Sequence, residues 1–414
     1  MIPNKHKAIT VFTLVLLCEL YLPSYKANFA IQSIALLFVL LNFKSGFSLS
    51  FLKTITPLLL IFVVGFCGYF LDSYHLVDVF KDITYFLKPI ICLFLSYLLI
   101  RQVNDLFLFL RTIVYVSAFT AFVHLFGLFI LGDFRGNSIN ELRGDFGLDN
   151  FIEIFAFYSL LFSNKYLGQW LIERKKVRLF ILAFLLASIF LYFSRTMLVV
   201  FILIGFSILG YTKITQRTLK FLGVAIVFVS LLYLYLFSIK LERNSKGIEA
   251  FLYKIKIAPE EIFTSKIDVE DHKELWDHWR GYEANRALAL MENNPSSYIF
   301  GNGFGSLVNL KILVPLGEKE MKYISRTHNG YVFVFYKTGI IGLLLYIGFL
   351  ARLYLKVYEE PASKEKFFSN RILTSIAVFY FFSSLIITGI YIPIDLIVFI
   401  LGGFLVSTNT AEII

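Results

Sequence analysis

The stretch from Glu173 to Lys213 reads ERKKVRLFILAFLLASIFLYFSRTMLVVFILIGFSILGYTK. Arg174, Lys175, Lys176 and Arg178 form the densest basic cluster in the chain, and the positive-inside rule assigns such a cluster to the cytoplasmic side of a membrane. The 33 residues that follow, 179 to 211, are too many for one untilted span and about right for two short ones. Ser194-Arg195-Thr196 lies at their centre. A single tilted helix would bury Arg195 near mid-bilayer at a cost of about 2.5 to 3.5 kcal/mol or more. A tight helical hairpin with its turn facing outward is therefore expected. Lys213, Arg217 and Lys220 then return to the cytoplasmic side, as the same rule requires.

Composition agrees with that reading. With 58% apolar residues, 16% charged residues and a mean hydropathy of +0.73, the chain lies outside the soluble globular range. The net charge of +10 would suggest nucleic acid in a soluble protein. Here membrane orientation accounts for it, and no nucleic-acid partner is expected. Cys18, Cys67 and Cys92 all fall inside apolar runs, which offers no disulfide and no CxxC metal site. The basic start resembles a signal peptide, but Leu20 to Tyr25 supplies no small-residue cleavage site, so it is taken as the first span.

Apolar runs at about 8–24, 28–43, 54–71, 82–100, 107–131 and 151–163 precede the hairpin, and a ninth span covers about 220–238. Three more follow at about 328–350, 372–388 and 391–407. The expectation is one all-α, polytopic membrane domain over residues 1–414, with about twelve spans and both termini inside. Residues 239–327 form one large outward loop between the ninth and tenth spans, its charges balanced at 13 basic and 13 acidic. The chain shows no internal repeat.

Outward segments should be poor in Lys and Arg, so Arg135, Arg143 and Arg195 need a reason beyond orientation. Arg195 opens a helix whose N-terminus carries unpaired N–H groups and a positive dipole end, and a cation is disfavoured there unless an anion answers it. Snorkelling to the interface is the plainer alternative. Arg280 is placed near another helix start, with Asp277 as its cap; a simple salt bridge to Asp277 or Glu283 would also explain it. Arg326, His328 and Asn329 sit at the mouth of the tenth span. A lone interfacial histidine is usually a polar anchor, but beside Arg326 and Asn329 His328 becomes a candidate general base. Lys337, roughly two and a half turns below that mouth, must pair or snorkel. Gly339 and Gly342 read as helix-packing positions.

Two further motifs carry less. Gly301-Asn302-Gly303-Phe304-Gly305-Ser306 resembles a dinucleotide fingerprint but lacks its third glycine and the strand-helix context. It reads as a flexible turn that folds the loop back on the membrane. Asp268-Val269-Glu270-Asp271 could bind a divalent cation but has no supporting ligands nearby, so a solvated turn is expected. The first outward loop, Ser24 to Asn28, has no carboxylate, which fits poorly with glycosyltransferases that depend on one there.

Ser194-Arg195-Thr196, the block from Trp279-Arg280-Gly281-Tyr282-Glu283 to Gly301-Asn302-Gly303-Phe304-Gly305, and His328-Asn329 followed by Gly339-Ile340-Ile341-Gly342 together resemble the O-antigen ligase and polymerase superfamily of bacterial membrane glycosyltransferases. The likeness covers roughly residues 110 to 390. Lys337 departs from the pattern, since relatives often carry an acidic residue there. The resemblance implies a GT-C-like helical enzyme in the bacterial cytoplasmic (inner) membrane, with its active site on the periplasmic face. Its partners would be an undecaprenyl-pyrophosphate-linked glycan donor, a glycan acceptor, membrane lipids and a chain-length regulator protein. In that setting Arg195 and Arg280 would hold the pyrophosphate, while Arg326, Arg135, Arg143 and Asn329 would make further phosphate or glycan contacts. His328 would deprotonate the acceptor hydroxyl, with no metal and no cofactor. Polymerase is the leaning, ligase the alternative. A flippase of lipid-linked oligosaccharide is a third reading, disfavoured by dissimilar halves and by polar groups gathered at one face.

Overall fold

The computed structural model describes residues 4–22, 24–43, 46–69, 74–132, 149–242, 248–263, 267–316 and 319–407. Among the described residues nine helices precede the loop: α1 (Asn4–Tyr21), α2 (Tyr25–Asn42), α3 (Leu49–Tyr69), α4 (Leu76–Val103), α5 (Leu106–Leu131), α6 (Ile152–Leu167), α7 (Lys175–Leu191), α8 (Arg195–Leu209) and α9 (Gln216–Ser238). The loop carries α10 (Ile248–Ile257), α11 (Glu260–Phe263), α12 (His272–Asp277), α13 (Trp279–Glu292) and α14 (Ser297–Phe300). After it come α15 (Gly330–Tyr354), α16 (Lys364–Ile386) and α17 (Ile397–Ser407). Each span expected from the sequence contains helix among the described residues. Seven helices among the described residues are long and apolar enough to cross a membrane, so the protein is a multi-pass helical membrane protein.

Helix starts follow side-chain capping chemistry. Ser24, Asp105, Ser194, Thr215, Asn329 and Ser363 each accept a backbone N–H from the first turn of the helix they open. α4 lies at the centre of the bundle, packed by α17, α1 and α2. α17 approaches it closely because a side chain at Gly402 would lie 2.9 Å from the Leu93 carbonyl oxygen. Some acidic groups inside the bundle pair with a cation, as a low-dielectric interior favours, while buried Glu153 and Asp395 are held by neutral donors such as Tyr192 and Tyr380. Lys88 meets Glu19 at 2.7 Å, and Glu19 also accepts from Gln32 and from the Asp395 amide.

The loop is not purely helical. β1 (Val308–Leu316) and β2 (Lys319–Ile324) form an antiparallel hairpin with Val308 opposite Ile324 and Pro315 opposite Glu320; the register shifts between Asn309 and Val314. The sequence carried the signal, because Val308, Leu310, Ile312 and Val314 alternate with a period of two. Val308, Leu310, Val314 and Ile324 pack with Trp279, Tyr282, Ala287 and Met291 of α13 into a second core, which Tyr336 of α15 joins.

The tenth apolar run is not one straight helix. Gly339 adopts φ 63°, ψ −165° and breaks α15 into 330–338 and 340–354. Tyr331 and Tyr346 have ring centroids 6.0 Å apart, whereas fifteen residues of straight helix would separate them by roughly 22 Å. The first half therefore folds back sharply on the second, and the single span expected over 328–350 is corrected. The break would leave the last carbonyls of 330–338 without partners. The backbone N–H groups of Asn302 and Gly303 take them, donating to Tyr336 (2.8 Å) and Lys337 (3.0 Å), while Phe304 donates to Gly65 at 3.0 Å. Gly301 to Ser306 is thus a turn, as expected, but a docked one rather than a flexible one. Phe304 is fully buried between Phe62, Phe66 and Phe86.

Gly339→Ala is expected to be strongly disruptive. Positive φ costs an L-residue roughly 1–2 kcal/mol, and its Cβ would lie 2.2 Å from the Ile299 carbonyl oxygen. A lower thermal transition of the detergent-purified protein would show it, and an unchanged one would contradict this account of the break.

Candidate active site

The turn carrying Arg195 is held from behind. Ser194 Oγ accepts from the Met197 amide (3.3 Å) and donates to Asp149 (2.9 Å), and Tyr192 Oη donates to buried Glu153 at 3.0 Å. Phe193 between them takes φ 50°. This closes the helical hairpin expected over 179–211 and makes Arg195 the first residue of α8. From there its guanidinium donates to the Lys254 carbonyl and to Glu261 at 3.1 Å. The anion required at this helix start is a side chain of the same protein.

Arg280, in the first turn of α13, reaches the other oxygen of the same carboxylate: Nη1 to Glu261 Oε2 is 2.9 Å. Two arginines 85 residues apart therefore converge on one carboxylate. The cap expected for this helix is corrected, since Asp277 ends α12 and the residue before α13 is His278, which makes no side-chain cap bond.

One turn further along α13, Glu283 is almost fully buried, with 2% of its side chain exposed against 49% for His328. Its Oε2 lies 2.8 Å from both the backbone nitrogen and Nδ1 of His328. An ionised carboxylate can only accept, so in the neutral imidazole Nδ1 carries the proton and Nε2 keeps its lone pair. Through Glu261, α13 and Glu283, the structure connects Arg195, Arg280 and His328.

The other candidates divide. Arg326 donates to the Tyr391 carbonyl at 3.4 Å and lies 4.9 Å over the Tyr85 ring, and it forms no salt bridge to a carboxylate among the described residues. Burial pulls its pKa below the ordinary arginine value. Asn329 uses its side-chain oxygen to cap α15, accepting from the Val332 amide at 3.1 Å. Arg135 and Arg143 lie outside the described residues. Lys337 is fully buried and pairs with Asp82 of α4, which also accepts the Gly305 amide at 2.7 Å. The acidic cluster is a local turn and cap: Asp268 accepts from the Glu270 amide and Asp271 from the Lys273 and Glu274 amides.

Sequence reasoning missed Glu261 and Asp82, and it named Glu283 only as a salt-bridge partner for Arg280. Glu283 was findable, since it follows Arg280 by three residues and shares its helix face. Glu261 had no distinguishing signal among 13 acidic residues in the loop.

Residues 180–347 match the family model described as O-antigen ligase. That region carries the likeness to the O-antigen ligase and polymerase superfamily. It runs from α7 into the second half of α15, so Arg195, Glu261, Arg280, Glu283 and His328 all lie within the O-antigen ligase match. No curated protein and no solved structure matches the chain.

Proposed function

We propose that the protein is a metal-independent, inverting glycosyltransferase that joins oligosaccharide repeat units carried on undecaprenyl pyrophosphate at the outer face of the cytoplasmic membrane. The single observation that carries this reading is the linked set of Arg195, Arg280 and His328. It offers two guanidinium forks for an anionic leaving group and, hydrogen-bonded to the carboxylate one helical turn from Arg280, an imidazole whose Nε2 has no hydrogen-bond partner among the described residues. The acceptor hydroxyl loses its proton to His328 Nε2 as its oxygen attacks the anomeric carbon. The bond from that carbon to the pyrophosphate oxygen breaks with its electrons on the oxygen, and Arg195 and Arg280 receive the charge. Guanidinium suits this role because its planar fork matches phosphate oxygens and stays ionised. Arg326 is available for a second phosphate or glycan contact.

A ligase, which transfers the glycan to a lipid A core, uses the same donor and is the second reading; the matching family fits either activity. The lipid profile of a deletion strain separates the two. Single repeats attached to the core indicate a lost polymerase. Finished polymer left on its carrier lipid indicates a lost ligase, and an unaltered profile would remove both.

Arg195→Lys is expected to lower transfer at least tenfold. One guanidinium spans the Lys254 carbonyl and Glu261 together, and an ammonium lacks that fork. Near-normal product from this variant would argue against bidentate recognition.

A further inference from the structure

We infer that Glu283 is the positioning residue for His328, setting both the tautomer of the imidazole and its distance from the leaving-group arginines. This inference rests on the glycosyl-transfer reading above. Three observations carry it. One oxygen of Glu283 binds His328 twice, at the backbone nitrogen and at Nδ1, both at 2.8 Å, so chain and ring are oriented by the same group. The carboxylate is buried while the imidazole is half-exposed, which turns Nε2 away from α13. Arg280 and Glu283 are one turn apart on α13, whose Trp279, Tyr282, Ala287 and Met291 are packed into the loop core. A packed helix face thus holds the leaving-group cation and the orienter of the base at a fixed spacing.

A purely mechanical role is the competing explanation: the backbone bond alone would anchor residues 326–330 to α13. The two roles differ in what they do to catalysis. Loss of an anchor would loosen the whole mouth, raising the KM for donor and lowering activity whether or not His328 is present. Loss of an orienter acts only through the imidazole.

The test is a double-mutant cycle on detergent-purified protein, with carrier-linked oligosaccharide extracted from the deletion strain as donor and acceptor. Glu283→Gln keeps an acceptor for the backbone amide but gives up the charge on Nδ1. It is expected to lower kcat about 10- to 100-fold, the usual cost of removing a group that orients a histidine, while the KM for donor changes by less than about twofold. In a His328→Ala background the same substitution should cost nothing further. A loss of equal size in both backgrounds, a rise in KM without a fall in kcat, or full activity of Glu283→Gln would overturn the assignment. Should the glutamine variant fail to accumulate, Glu283→Asp, which keeps the charge but draws it back by one methylene, is read in the same cycle with the same criteria. Absence of any transfer by the wild-type protein would instead refute the glycosyl-transfer reading itself, and full activity of His328→Ala would remove only His328 as its base, so the failures are distinguishable.

Discussion

His328→Ala leaves a protein that inserts and folds but loses about 10²- to 10⁴-fold in transfer rate, the range expected for a positioned general base. The fold survives because the side chain is half-exposed and makes one hydrogen bond, to Glu283. The second bond from Glu283 goes to the backbone nitrogen, which alanine retains. Glu283 therefore keeps a partner, and no buried carboxylate is orphaned, the usual route to a large destabilisation. The measurement is the chain-length ladder in a deletion strain carrying the variant, beside its membrane level. A wild-type ladder would remove His328 from the mechanism, and a loss matched by loss of the protein would show that the residue acts through folding.

Lys337→Met is expected to act in the opposite way, with little direct bearing on chemistry and a large cost in stability. Lys337 and Asp82 are both fully buried, and the pair joins the folded-back first half of α15 to α4. Removing one partner of a buried ion pair typically costs about 3–5 kcal/mol, because the other charge is left uncompensated. Asp82 would keep only the Gly305 amide. The companion variant Asp82→Asn with Lys337→Met removes both charges and retains an acceptor for that amide. Apolar or neutral replacement of both partners is often tolerated, so the double variant should recover most of the lost thermal stability in detergent. A double variant as unstable as the single one would mean that the pair contributes through shape rather than charge.

The scaffold was largely written in local sequence. Apolar runs and Ser, Thr, Asp and Asn caps specify helices through interactions spanning a few residues. Ser194-Arg195-Thr196 marked a hairpin turn because a mid-run arginine is costly anywhere else. The β-hairpin was equally legible in the alternation of Val308 to Val314, but it was absorbed into a loop defined by its polarity. The rest needed three dimensions. The break at Gly339 looked like a packing glycine, since a single positive φ leaves no periodic trace. Its cause lies 36 residues upstream, in the backbone of Gly303 that takes the freed Lys337 carbonyl. Lys337 was recognised as needing a partner, yet Asp82 lies 255 residues away. The site followed the same division. Its cations stood out because positive charge at a helix start conflicts with the dipole. The carboxylates that answer them, Glu261 and Glu283, are ordinary in a loop where acidic residues are common.

Glu261 makes the resting protein its own competitor for anions. Tethered through α11, its carboxylate acts at an effective concentration of the order of millimolar or above, so a dilute free anion gains little by approaching Arg195 and Arg280. An occupant must displace an ion already hydrogen-bonded to both guanidinium groups, which favours polyanions over single charges and ligands concentrated at the membrane over those in bulk water. On the proposed function, selectivity at this pair is a contest between an internal ion and an incoming one.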